Sequence, residues 1–398
     1  MGCMGDSRPG VWLMNKVLLA ALILGVSIVG LTIGATVPVV ALRLYQAQAS
    51  SVHIGVMSAL PAAGIIVSAF MVDWISQRLS RRHIYMGCFA LSALSVAAIE
   101  VFASTFYGLA LARLVMGVAA GLIIIIGESW VNEIAEDSHR GRIVAIYTTC
   151  FTIFQVMGPG MVAMFGTAGL QVIGVVVLGN ILALGTISFT LPRQVIWHGN
   201  AESKTFSVLG FIQVAPALCM GIIFFSFFDS VILSMFPVYA AEHGYTIKLA
   251  ALMVTIILIG DAALQFPLGW LSDKVARPLV YLGCGVLSLT IGACLPWLMN
   301  HPLLLWPSLI VLGAVAGGVY TLAIILIGEG FKGQDLVTAN ASAGFLWGVG
   351  SLLGPLVSGA AMTTSAHGLP MALSAAAVLL VLFTLPMLRR TMRVKALG

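Results

Sequence analysis

Three ionisable residues stand where such residues are rarely tolerated: Arg113, Asp229 and Asp261 each interrupt a long apolar run. A charge at the centre of a bilayer costs about 2.5 to 3.5 kcal/mol on insertion scales and survives mainly beside water or a partner. Asp229, in Phe225-Ser226-Phe227-Phe228-Asp229-Ser230, is the first candidate for a proton or substrate-cation site. A carboxyl group held out of water can take up and release a proton, which a carrier driven by a proton gradient requires. Asp261, one turn from Gln265, is the second candidate, with a structural hydrogen bond to a neighbouring helix as its other reading. Arg113 is open between binding an anionic solute and neutralising a carboxylate. Thr32, Thr36, Gln155, Tyr239, Tyr320, Asn340 and Trp347 are polar or aromatic residues within apolar runs, each open between lining a solute path and packing or bonding to a neighbouring helix.

The elements that must position these residues are membrane helices. Hydrophobic residues make up 60% of the chain and charged residues 8%, with a mean hydropathy of +1.08. That leaves too little polar surface for a soluble globule. A spanning helix needs about 20 apolar residues, and the sequence offers twelve such runs. In the first half they fall near 17–42, 53–72, 83–99, 106–130, 143–165 and 170–191. In the second they fall near 208–240, 248–271, 278–299, 302–327, 336–361 and 368–388. The expected fold is an all-α membrane protein of twelve transmembrane helices in two pseudo-symmetric six-helix halves, residues 1–191 and 208–398, joined by a cytoplasmic linker at 192–207. The first run is too long for the core of a signal peptide and reads as a retained helix.

The two halves are legible as a repeat. Asp73-Trp74-Ile75-Ser76-Gln77-Arg78 and Gly269-Trp270-Leu271-Ser272-Asp273-Lys274 share a pattern, and Trp74 and Trp270 lie 196 positions apart, 270 less 74. The same interval relates Tyr85 to Tyr281, Gly117 to Gly313, Gly121 to Gly317 and Gly158-Pro159 to Gly354-Pro355. Gly127-Glu128 and Gly328-Glu329 answer each other at a slightly longer shift, which reads as a small insertion. Parallel repeats of six helices are a transporter plan. Sixteen of the 19 Lys and Arg fall on the side shared by both termini, which places that side in the cytoplasm. The net charge of +5 is therefore topogenic and implies no nucleic-acid partner.

The loop between helices two and three, and its copy between eight and nine, resembles the signature of the major facilitator superfamily. The second copy matches at Gly269, Leu271, Asp273, Lys274 and Arg277. The first matches at Ile75, Arg78, Arg81 and Arg82 but carries Asp73 for the glycine and Gln77 for the aspartate. Arg113-x-x-x-Gly117 and Gly158-Pro159-Gly160 add partial matches to two further signatures, the second of them the antiporter signature. Gly127-Glu128-Ser129-Trp130-x-Asn132-Glu133 is similar to the bacterial YcaD-like branch.

The resemblance implies a cytoplasmic gate drawn from Asp73, Arg78, Arg81, Arg82, Glu128, Glu133, Asp273, Lys274, Arg277, Glu329 and Asp335. Arg81 or Arg82 would pair with Glu128, Glu133 or Glu136, and Arg277 with Glu329 or Asp335. Gln77 removes one carboxylate, so the first-half latch is expected to be the weaker.

The function expected is alternating-access transport of a small organic solute across the bacterial inner membrane by a multi-pass monomer with cytoplasmic termini, as proton-coupled efflux. Proton-linked import of an organic anion is the alternative, motivated by Arg113. A non-transporting membrane assembly factor on the same fold is a third reading. The sequence carries no nucleophile triad, phosphate loop or metal-ligand spacing. No enzymatic activity, cofactor or metal is therefore expected, and a proton gradient must supply the energy. The scattered cysteines read as small packing residues.

Overall fold

Apolar sequence in a bilayer must satisfy its backbone polar groups internally, and helices do so within one segment. A computed structural model describes residues 9–134, 140–191 and 210–397, with some side chains within those ranges left out, and among the described residues there is no strand. The first six long helices are α1 (Pro9–Gln46), α2 (Ser51–Ser76), α3 (Arg81–Val101), α4 (Phe106–Ile134), α5 (Arg140–Phe165) and α6 (Gln171–Thr190). The second six are α7 (Pro216–Glu242), α8 (Ile247–Lys274), α9 (Arg277–Leu298), α10 (Pro302–Gly330), α11 (Gly333–Thr364) and α12 (Gly368–Leu397). Eleven are long and apolar enough to cross a membrane among the described residues, and α8, at 28 residues, has the length to do so. The protein is therefore a multi-pass membrane protein. The expected linker, 192–207, lies outside the described residues.

Helix ends follow local chemistry. Ser50 and Thr246, equivalent under the repeat, cap α2 and α8 by accepting from the backbone N–H three residues on. The seventh helix was expected from residue 208, but the chain makes a single helical turn at Phe211–Val214, breaks at Ala215 and starts α7 at Pro216. Proline suits that first position because its missing N–H would have had no partner there.

The repeat also governs packing. α1 packs on α5 as α7 packs on α11, α2 on α4 as α8 on α10, and α3 on α6 as α9 on α12. Glycines permit the closest approaches. A Cβ on Gly117 would strike the Pro61 carbonyl, and one on Gly313 would strike the Ile257 carbonyl, its repeat equivalent. Gly64 against Leu114 and Gly260 against Ile310 form a second equivalent pair. Hydroxyls on these helices are mostly satisfied locally: Thr36, Ser95, Thr255, Ser342 and Thr384 each donate to the carbonyl four residues back.

The halves meet through α2 against α11 and α5 against α8, again equivalent pairs. Gly55 abuts the Pro355 carbonyl and Gly359 the Ser51 carbonyl, at the end of the bundle that carries the α1–α2 loop. On the other seam, Gly160 faces Thr255 and Gly166 faces the Lys248 side chain. Toward the opposite, basic end, Glu128, Asn340, Ala341 and Gly344 are exposed, so the seam between the halves opens there.

At the far end, Glu100 is held in an ion pair with Arg43. Arg43 donates to Glu100 at 2.7 Å and to the Thr167 and Gly169 carbonyls at 2.9 and 3.0 Å, stapling α1 to α3 and to the α5–α6 loop. Arg43→Gln is expected to destabilise the fold by about 1–3 kcal/mol, the loss typical of charge-assisted hydrogen bonds. A thermal melt of the purified protein reads this as a lowered midpoint, and an unchanged midpoint contradicts the staple.

Candidate functional site

Asp229 sits midway along α7 and Asp261 midway along α8, both buried, at 8% and 6% exposed. The Gln155 amide on α5 donates to the Asp229 carboxylate, 3.2 Å to Oδ2 and 3.5 Å to Oδ1. This bond joins the first half of the chain to the second at mid-height. Asp261 is in electrostatic range of Asp229. It lies against α10, where its carboxylate occupies the space that a Cβ on Gly317 would need. The Asp229 carboxyl and the Gln155 amide therefore meet at the seam, with Asp261 on α8 in electrostatic range. Such a group can hold a proton or a cation, and it can sense separation of the halves because its partners belong to both.

One turn from Asp229 toward the basic end, Phe225 stacks on Tyr320 at 5.2 Å between ring centroids. Trp347 closes the cluster edge-on, 5.4 Å from Phe225 and 5.1 Å from Tyr320. These three rings from α7, α10 and α11 form an apolar wall between the acids and the opening. Such a wall favours a solute with aromatic or aliphatic bulk. Phe225 was not among the sequence candidates.

Arg113 is placed elsewhere. It is fully buried inside the first half, donating to the Met57 carbonyl at 3.2 Å and to the Thr36 hydroxyl at 3.4 Å, with Nη2 lacking a hydrogen-bond partner. Thr36 donates to the Thr32 carbonyl, and the Thr32 hydroxyl accepts from Asn180 at 3.0 Å. Arg113, Thr32 and Thr36 thus form one polar thread through the first half rather than a wall of the opening. Tyr239 is also fully buried, its ring against His243 at 4.1 Å. Asn340 is exposed on the open side of α11.

The basic-end residues pair within each half. Arg81 bonds Glu133 at 2.6 Å, tying the start of α3 to the end of α4. Arg277 pairs with Glu329 at the equivalent place between α9 and α10. Glu133 and Glu329 are thus repeat equivalents at the same interval as the tryptophans, and the longer shift inferred from Glu128 is corrected. Both pairs form, so the missing carboxylate at Gln77 does not remove the first-half pair. Arg82 instead donates to the Ser188 and Leu191 carbonyls of the α6 end. Arg78 covers the Trp74 ring at 3.9 Å and Lys274 the Trp270 ring at 3.8 Å, a further equivalent pair. Asp73 is exposed, and Asp335 lies in the first turn of α11. The Asp273 side chain and Glu136 lie outside those described.

Two equivalent bundles around a polar bond at mid-height define a membrane carrier that works by alternating access. The chain belongs to the Major Facilitator Superfamily, whose profile matches residues 22–246 and 218–396. It is 24% identical to the "Uncharacterized MFS-type transporter YfkF" of Bacillus subtilis (strain 168), over 86% of this chain and 88% of that one. It is 25% identical to the "Uncharacterized MFS-type transporter YcaD" of Escherichia coli (strain SMS-3-5 / SECEC), over 88% of this chain and 87% of that one. The fold resembles that of a bacterial homologue of the human lysosomal transporter Spinster in an inward-facing, unoccupied conformation. The TM-score is 0.73 at 16% identity, covering 95% of this chain and 96% of that one. The protein is a transporter and not an enzyme.

Proposed function

We propose that this carrier exports a small organic solute across the bacterial inner membrane in exchange for protons, as a monomer with both termini in the cytoplasm. The observation that carries this reading is the Gln155–Asp229 bond, a titratable group held between the two halves at mid-height. Protonation of Asp229 changes its bond to Gln155, and separation of the halves breaks it, so proton binding and conformation are linked through one contact. The proton gradient supplies the energy and no cofactor takes part. With the basic end in the cytoplasm, the seam is open to the cytoplasm, the state in which an exporter loads its solute. The basic-end set around Asp73, Arg78, Lys274 and Asp335 would then meet as the seam closes, while Arg81–Glu133 and Arg277–Glu329 keep each half rigid.

Import of an organic anion loses its motive, because Arg113 is packed inside the first half. Everted membrane vesicles from expressing cells test the direction. Respiration acidifies their lumen, and a panel of labelled organic solutes is expected to include one that accumulates only while that gradient persists. Accumulation driven by external acid instead would reverse the assignment.

A further inference from the structure

The seam between α2 and α11 closes at one end and opens at the other along a single line of residues. Gly359 abuts Ser51, Pro355 abuts Gly55, and a Cβ on Gly348 would still strike the Ile66 side chain at 2.8 Å. One turn nearer the basic end, a Cβ on Gly344 would meet no atom within 4 Å, and Gly344 and Asn340 are exposed. Solvent therefore reaches between the halves as far as the turn that holds Gly344.

Trp347 stands three residues from Gly344 and is its neighbour on the helix surface. A helical side chain leans over the turn before its own Cα, which for Trp347 is the turn of Gly344. Its half-buried ring meets Phe225 of α7 and Tyr320 of α10 edge-on, while those two rings stack with 24° between their planes. Ser351, one turn beyond Trp347, reaches the Ser226 carbonyl of α7 at 3.5 Å, so this stripe of α11 ends against α7 beside Phe225.

Packing alone does not call for these rings. At the repeat interval, Phe225 and Tyr320 fall on Val29 and Ile124, and Trp347 falls on Phe151. Val29 is buried and Ile124 half-buried, so two aliphatic side chains fill the same place in the first half. What the second half adds is flat π-surface beside the open part of the seam. We propose that Trp347, Tyr320 and Phe225 bind a planar aromatic ring of the solute, which enters past Gly344. Aromatic rings gain from stacked and edge-on contacts beyond the area they bury, so such a wall prefers a flat ring to a saturated one. The inference rests on the reading that the seam is the solute path, and it names the solute class.

Isothermal titration calorimetry on the purified full chain in lipid nanodiscs tests it, with empty nanodiscs subtracted for partitioning. The probes are 2-naphthamide and decahydro-2-naphthamide, uncharged amides on the same carbon skeleton. The saturated amide is the more apolar, so burial alone would favour it. Naphthamide is expected to bind at least about threefold more tightly, the gain of ring contacts over area. Phe225→Val with Tyr320→Ile, which copies the first half, is expected to abolish that preference. Gly344→Phe is expected to weaken naphthamide about tenfold by filling the entrance, where its Cβ meets no atom within 4 Å. It carries the test if the double variant does not fold. Equal or tighter binding of the saturated amide, no naphthamide binding at about 1 mM, an unchanged preference in a folded double variant, or unchanged naphthamide affinity in Gly344→Phe overturns the proposal. Gradient-driven uptake of solutes without the naphthamide preference would sink this site and leave proton coupling standing. The preference without gradient-driven uptake would support the site and sink the coupling.

Discussion

Gly313→Ala and Gly117→Ala are each expected to leave little folded protein, although each adds only a methyl group. At both positions the new Cβ would strike the carbonyl oxygen of the facing helix, Ile257 for one and Pro61 for the other. A clash with backbone cannot be relieved by choosing another rotamer, so the helices must separate along their length. In a bilayer, helix association depends on close packing, because lipid is as apolar as the side chains. Overpacking destabilises by about 1–3 kcal/mol and occasionally more, and a clash with backbone falls at the upper end.

The control is Gly87→Ala with Gly283→Ala, another repeat-equivalent pair, where no atom lies within 4 Å of the added methyl. Those variants are expected to melt at or above the parent midpoint, because alanine is the better helix former. Size-exclusion profiles and thermal midpoints of the four proteins check both statements. Parent-like melting of Gly313→Ala would contradict the close approach of α8 and α10.

The same glycines mark what the sequence could disclose. Gly117 and Gly313 are visible as a repeat in the one-dimensional chain, and the repeat fixes which helices pack on which. Asp229 and Gln155 were separately identifiable as polar residues in apolar runs, but their bond was not. It joins α5 to α7 across the two halves, where no spacing rule relates the partners. The burial of Arg113 was equally hidden, because α4 is apolar on all sides and its sequence does not fix its rotation about its axis. Glu133 lay beside a long polar loop with Glu128 five residues earlier, so either could have answered Glu329.

One signal went unused. Counted at the repeat interval, Asp229 falls on Ile33, Asp261 on Ile65, Tyr320 on Ile124 and Phe225 on Val29. Several residues that break the symmetry are gathered near mid-height by the structure, and that comparison would have found Phe225.

Asp229→Asn is expected to abolish accumulation driven by a proton gradient, with the protein still folded. The amide is nearly the same size as the carboxyl and can still bond Gln155, so packing at the seam survives. What it cannot do is release a proton, so the link between protonation and the separation of α5 from α7 is cut. Asp261→Asn is expected to act in the same direction but less completely. Asp261 is lodged against Gly317 on α10, within the second half, whereas Asp229 bonds across both halves.

The central claim is that this carrier trades a proton on Asp229 for its solute, and proton movement in the absence of any imposed gradient tests it most directly. The purified chain is reconstituted into liposomes containing pyranine, and organic solutes without a titratable group are added outside one at a time. Such solutes cannot carry protons across as a free acid or base. Exchange predicts that the lumen becomes alkaline as one of them enters and protons leave, and that the Asp229→Asn protein behaves as protein-free liposomes do. Alkalinisation by Asp229→Asn at the parent rate, or acidification of the lumen by the parent protein, would contradict the account.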